Sequence, residues 1–156
     1  MHAALPALRG RGGGDILLTA SLAGLTVVPL DPIYAANKTA VVALARALGT
    51  AHEPEGIRVN AICPAFTDTS MVDTIRESLD GMSVPLIEKD QVVETFITVL
   101  ESGQSAQAWF VQPGRPSEPF RFNRAPGPRR ADGQQAQAVD AESQIRIGKK
   151  VLDQKV

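Results

Sequence analysis

The chain has 156 residues, enough for one domain with a modest core. With 16 basic against 17 acidic side chains its formal net charge is −1, and neither a basic groove nor a membrane-length apolar run emerges, so no nucleic-acid or membrane partner is expected. The single cysteine, Cys63, excludes an internal disulfide and a cysteine-based metal site and fits a reducing cytoplasm.

Residues 1–9 predict the last turns of a helix, ended by the glycines at 10 and 12–14. The opening MHAALPALRGRGGG lacks the apolar core and cleavage pattern of a secretory signal. Residues 15–20, DILLTA, form the short apolar run of a strand buried on both faces. Gly24, Pro29 and Pro32 make residues 21–32 a loop. A helix is expected over 33–51, with Val41, Val42, Leu44, Ala45 and Leu48 on one side and His52, Glu53, Pro54 and Gly56 closing it. Residues 57–63, IRVNAIC, read as a second strand that stops at Pro64. A short helix over 71–79 would follow a Thr69/Ser70 cap, and a stronger one spans 91–101 with Gly103 just past its end. Residues 108–112, AWFVQ, give a third strand. Strands and helices alternating at this spacing argue an α/β layer fold with a parallel sheet.

After Pro113 the character changes. Prolines, glycines, glutamines and arginines crowd residues 113–137, which predicts a surface-hugging segment and then a disordered linker. The final stretch is a weak amphipathic candidate through Ile145, Ile147, Val151 and Leu152. The expected division is therefore 1–116 as the ordered domain and 117–156 as a loose tail. No internal repeat is present. His2 and His52 are too far apart and too lightly accompanied to suggest a metal site, and none is expected.

The chemistry concentrates in IYAANKTAV, residues 33–41. On a helix, positions i and i+4 share a face, so Tyr34, the only tyrosine, and Lys38 point the same way. Free tyrosine, with a pKa of about 10, is a poor base near neutrality, and an adjacent cation stabilises its phenolate. Ser21, thirteen residues before Tyr34, ends the first predicted strand at the carboxyl edge of the sheet, where open α/β folds place ligands. A Tyr-x-x-x-Lys pair by itself is weak, because a solvated helix pair is the better explanation of it alone. Four features at compatible spacing change the balance: the serine within SLAG, the Tyr34–Lys38 pair, RVNAICPA as the next strand, and TDTSM after it.

On these motifs residues 10–112 resemble the second half of a short-chain dehydrogenase/reductase. SLAGL, NAICPAFTDT and PLI look most similar to the branch of NAD-dependent prostaglandin dehydrogenases. The resemblance implies an α/β fold corresponding to the C-terminal half of a Rossmann-type, doubly wound parallel sheet, truncated at the N-terminus. It implies Tyr34 as catalytic acid/base, Ser21 as the group orienting the substrate oxygen, and Lys38 as partner of Tyr34 and of the nicotinamide ribose. Pro64, Ala65, Thr67, Asp68 and Thr69 match the stretch that contacts the nicotinamide, largely through backbone. Ala65 stands where the family has glycine, so a methyl beside the nicotinamide and weakened or shifted cofactor binding are expected. Asn60 is expected to support strand and loop geometry, Cys63 to be a small buried residue, and Trp109 to pack beside the last strand.

The family's glycine-rich phosphate loop follows a strand, whereas GRGGG at 10–14 precedes one and reads as a helix-to-strand turn. The residue that selects between NAD and NADP also has no counterpart in this sequence. The expected function is NAD(P)-dependent oxidation or reduction of a secondary alcohol or ketone, with Leu22, Leu25, Leu30, Ile33 and Phe66 favouring a lipophilic one. A chain of this content is expected to expose one flank of the 15–20 strand, inviting a homo-oligomer or pairing with another chain. The alternative is a non-catalytic binding module that pairs with a full-length relative.

Overall fold

The computed structural model describes residues 3–123 and 125–153, with side chains beyond residue 148 outside the description. The chain divides into two compact units, Met1–Phe120 and Arg121–Val156.

The first unit is built on a four-stranded sheet in the order β1-β2-β3-β4. Strand β1 is Gly14–Thr19, β2 is Ile57–Pro64, β3 is Ala108–Val111 and β4 is Glu118–Pro119. The first three run parallel, in a register that sets Leu17 beside Asn60 and Ile62 beside Trp109. Helix α1 is Ala4–Gly10, α2 is Pro32–His52, α3 is Arg76–Gly81 and α4 is Lys89–Glu101.

Period-two alternation in β2 divides two cores. Ile57, Val59, Ala61 and Cys63 are buried with Val42 and Ala45 of α2, while Leu5 and Leu8 of α1 pack against the margin. Ile62 faces the other way and joins Trp109, Val111, Ile87 and Val99 of α4. Fully burying each of the larger aliphatic side chains contributes about 1.5–3 kcal/mol. The seam between α2 and the sheet depends on Gly49. A Cβ there would lie 2.5 Å from the Ala106 nitrogen and 2.6 Å from the Val59 carbonyl oxygen, so only glycine permits this approach.

Several expectations need correction. β1 is only partly buried instead of enclosed on both faces, because it is the edge strand and α4 packs on β2 and β3. The expected 71–79 helix is two pieces, a 3-10 stretch Ser70–Ile75 followed by α3. Thr69 does not cap it; its hydroxyl donates to the Thr67 carbonyl at 3.4 Å instead. The sheet is not wholly parallel, since β4 joins β3 antiparallel through Trp109 and Pro119. A hydroxyl–hydroxyl bond of 2.6 Å between Thr95 and Ser117 fixes the approach to β4. Residues 117–120 therefore belong with the first unit instead of the tail.

In the second unit, helix α5 covers Ala141–Asp153, and Asp140 accepts from the Ser143 N–H at 2.7 Å at its start. Residues 128–136, read as disordered linker, form a turn closed by an Arg129–Gln135 bridge. His2 and the side chains of Val151 and Leu152 lie outside the description.

Candidate active site

Everything assigned a chemical role lies at the carboxyl ends of β1 and β2 or on the elements that follow them. Ser21 comes two residues after β1 in extended backbone, with φ −168° and ψ 159°. Its Oγ accepts from the Ala23 N–H at 3.2 Å and donates to the Pro64 carbonyl at 3.5 Å. The first contact starts the 3-10 turn Leu22–Gly24 and the second ties that turn to the end of β2. At 3.5 Å the bond to Pro64 is long for a hydroxyl donor, leaving that proton readily redirected to another oxygen.

The turn is bolted to α2 at the height of Lys38. A Cβ on Gly24 would lie 2.7 Å from the Lys38 carbonyl oxygen, and the Thr39 hydroxyl donates to the Gly24 carbonyl at 3.4 Å. Glycine is thus needed for the serine turn to meet the helix that carries Tyr34 and Lys38. The start of that helix is set by Asp31, whose Oδ1 accepts from the Tyr34 N–H at 2.9 Å, with Pro32 in the first turn.

The Lys38 ammonium donates to the Thr19 carbonyl at 3.3 Å and stands 5.6 Å from the centroid of the Tyr34 ring. One cation therefore links the end of β1 to the phenol one helical turn away. Tyr34 is open to solvent at 37% exposure, so it is no core residue. Beneath them Cys63 is fully buried. Burial pushes its thiol up to about 12, outweighing the hydrogen bond from the Ser21 backbone and the Lys38 charge. It is a packing residue with no thiolate character near neutrality.

The stretch after β2 folds into a pinned turn. The Asp68 N–H donates to the Ile87 carbonyl at 2.9 Å, and the Ile87 N–H to the Phe66 carbonyl at 2.8 Å. The alternation of a parallel bridge turns the Thr67 backbone away from Ile87. The Asp68 carboxylate accepts from Arg76 at 2.6 Å, and Arg76 also reaches Asp73 at 3.1 Å. Asp68 is thereby committed to the protein on both its backbone and its side chain. Ala65 is not among the residues with positive φ, and it packs against the Ile62–Trp109 core.

Asn60 is buried and carries no catalytic geometry. Its amide donates to the Gln104 carbonyl at 2.8 Å and accepts from the Gln107 N–H at 2.9 Å, aligning the loop before β3. The sequence reading missed the bidentate Arg58–Asp15 pair, at 2.7 and 2.6 Å, and the Arg76–Asp68 tie. The first needs the β1–β2 register, which no local pattern contains. The second had a signal, an arginine eight positions after an acid in a loop, but no way to assign its partner.

A groove of about 440 Å³ lies elsewhere, between α4 and residues 114–117, with Glu94, Thr98 and Arg115 on its walls. None of the candidate catalytic residues lines it. Among the described residues no group of three His, Cys, Asp or Glu side chains gathers to hold a metal ion, and no helix is long and apolar enough to cross a membrane.

This arrangement has many counterparts. Residues 1–80 match the family model described as short chain dehydrogenase. The chain is 36% identical over 85 residues to 15-hydroxyprostaglandin dehydrogenase (NAD(+)) of Mus musculus, covering 53% of this chain and 31% of that protein. It is 41% identical over 70 residues to a monensin polyketide synthase putative ketoacyl reductase of Streptomyces virginiae, covering 45% and 27%. The chain thus spans about a third of the length of the curated relatives it matches. Among solved structures, a 3-oxoacyl-acyl-carrier protein reductase from Brucella melitensis superposes with a TM-score of 0.65 at 28% identity, covering 70% of this chain and 45% of that one. The TT0495 protein of Thermus thermophilus gives 0.66 at 25% identity, covering 72% and 53%. With its α/β sheet, serine turn and Tyr34–Lys38 helix turn, and with more than half its length matched by the family model, the chain belongs to the short-chain dehydrogenase family.

Proposed function

We propose that the chain carries the proton-transfer half of an NAD(P)-dependent oxidoreductase acting on a lipophilic secondary alcohol or ketone. The observation that carries this is Lys38, whose ammonium touches the end of β1 and faces the Tyr34 ring, while the same strand end leads into Ser21. The nicotinamide cofactor supplies hydride exchange when bound. The residues of this chain do the rest. Ser21 donates a hydrogen bond to the substrate oxygen, exchanging the long bond to Pro64 for a shorter one and keeping its proton. Tyr34 moves a proton to or from that oxygen, and Lys38 stabilises the phenolate that results.

The donor set suits the nicotinamide–ribose end of such a cofactor. Lys38 offers an ammonium for the ribose hydroxyls, and the outward-turned Thr67 backbone beside Pro64, Ala65 and Thr69 offers amide-scale contacts for the carboxamide. Asp68 contributes by holding the turn through Arg76. Exposed apolar side chains on the segments around these residues support a lipophilic substrate. Leu30, Ile33, Phe66 and Met71 are all exposed, apolar surface that a hydrocarbon chain would cover. Leu25 packs into the α2-side core instead and takes no part in it.

Calorimetric titration of the purified chain with NAD and with NADP tests the cofactor reading. Binding of one of them tighter than about 100 μM, roughly −5.5 kcal/mol, supports it. No heat from either favours a non-catalytic module that pairs with another chain.

A further inference from the structure

The turn after β2 carries two backbone N–H groups, those of Thr67 and Thr69, that no partner satisfies among the described residues. They flank Asp68, so whatever fixes Asp68 fixes the direction of both. The Asp68 N–H is pinned to the Ile87 carbonyl at 2.9 Å. One pin leaves a turn free to swing about it. A second comes from Arg76, whose Nη2 donates to the Asp68 carboxylate at 2.6 Å and to the Asp73 carboxylate at 3.1 Å.

The place of Arg76 in the chain gives these bonds their reach. It follows the 3-10 stretch Ser70–Ile75 and begins α3. Its bond to Asp73 stays within that stretch, three positions back. Its bond to Asp68 crosses the whole stretch and closes residues 68–76 into a loop. Val72 seats the loop on the protein, since its side chain is buried and its N–H donates to the Thr69 carbonyl at 3.1 Å. We propose, resting on the nicotinamide reading of this turn, that Arg76 is a positioning residue: by strapping Asp68 to the start of α3 it holds the Thr67 and Thr69 N–H groups outward for the nicotinamide carboxamide.

The magnitudes suit such a role and no larger one. All three side chains are open to solvent, where ion pairs shift an equilibrium by only about two- to fivefold. Folding of the unit draws on two apolar cores and lies beyond their influence. A surface turn does not, because such segments open locally at a small fraction of the global free energy. Removing the guanidinium should therefore loosen the turn and leave the sheet as it is.

Amide exchange followed by NMR on the full chain tests the strap, with no dependence on turnover. Arg76→Gln should speed exchange of the Asp68 and Val72 N–H groups by about two- to fivefold. The Ala61 and Ala106 N–H groups, bonded to the Gln107 and Val59 carbonyls, should exchange as in the wild type. The double variant Asp68→Arg, Arg76→Asp again sets one guanidinium between two carboxylates and should restore the wild-type rates. Calorimetric affinity for whichever of NAD and NADP binds the wild type should fall in Arg76→Gln by about the same two- to fivefold and return in the double variant. A wild type that binds neither counts against the cofactor reading alone, and exchange then decides the strap. Unchanged exchange at Asp68 and Val72, equal acceleration at Ala61, no recovery in the double variant, or a cofactor affinity indifferent to Arg76→Gln would overturn the proposal.

Discussion

Asn60 and Cys63 show how far a residue's role depends on partners distant in sequence. Asn60 reaches residues 104 and 107 through one amide, so Asn60→Ala takes a side-chain partner from the Gln104 carbonyl and the Gln107 N–H together and leaves a space where the buried amide stood. The cost should be about 2 kcal/mol, read from urea unfolding followed by Trp109 fluorescence. Cys63, with its thiol held up at about 12 by burial, should resist iodoacetamide at pH 8 in the folded chain and react once urea unfolds it. Labelling of the native chain at the rate of a free thiol would contradict this placement. Tyr34 and Lys38 were legible because their relation is local, four positions on one helix. Arg58 and Asp15, 43 positions apart, meet only because the two strands are in register, and nothing in either segment encodes the other.

Among the elements, α2 carries the site and its placement can be tested at both ends. Asp31→Ala removes the side-chain acceptor from the Tyr34 N–H and should cost about 1 kcal/mol of unfolding free energy. Gly49→Ala drives a methyl into the Ala106 and Val59 backbone and should cost about 1–3 kcal/mol, with the site displaced as α2 moves off the sheet. Helix α1 is tied to the end of α2 by Arg9, which binds Glu55, with His52 contributing. The guanidinium holds the Glu55 carboxyl at about 2, below its ordinary 4.5, and the bond to His52 adds to the effect. A depressed carboxylate contributes stability that is complete above its unfolded value and is lost as pH falls through its folded one. The difference in thermal midpoint between wild type and Glu55→Gln should therefore be largest above pH 4.5 and shrink toward pH 2. An unchanged difference across that window would show that the tie does not hold α1. The sequence marked α2 and α4 through apolar periodicity. It mis-drew 70–81 because the Thr69 hydroxyl bonds back to Thr67, a choice between two nearby carbonyl and amide groups that composition does not decide.

At the scale of the whole molecule, alternating strands and helices made the α/β layering legible, and the order of serine, tyrosine and lysine made the family legible. Strand β4 was not, because two residues containing a proline leave no period, and their pairing is set by the Thr95–Ser117 bond from another element. Of the second unit the amphipathic run through Ile145 and Ile147 hinted at α5, while the turn at 128–136 was hidden by the prolines, glycines and glutamines around it. The structure has a hydroxyl on a strand-end turn, an ammonium touching that strand end, and a phenol one helical turn from the ammonium. The most direct test compares wild type with Tyr34→Phe in cofactor-dependent oxidation of a long-chain secondary alcohol, followed by nicotinamide absorbance, with cofactor affinity measured on both. Turnover should fall by about 10²–10⁴-fold in the variant while cofactor affinity stays the same. A Tyr34→Phe chain that turns over as fast as wild type would contradict the account.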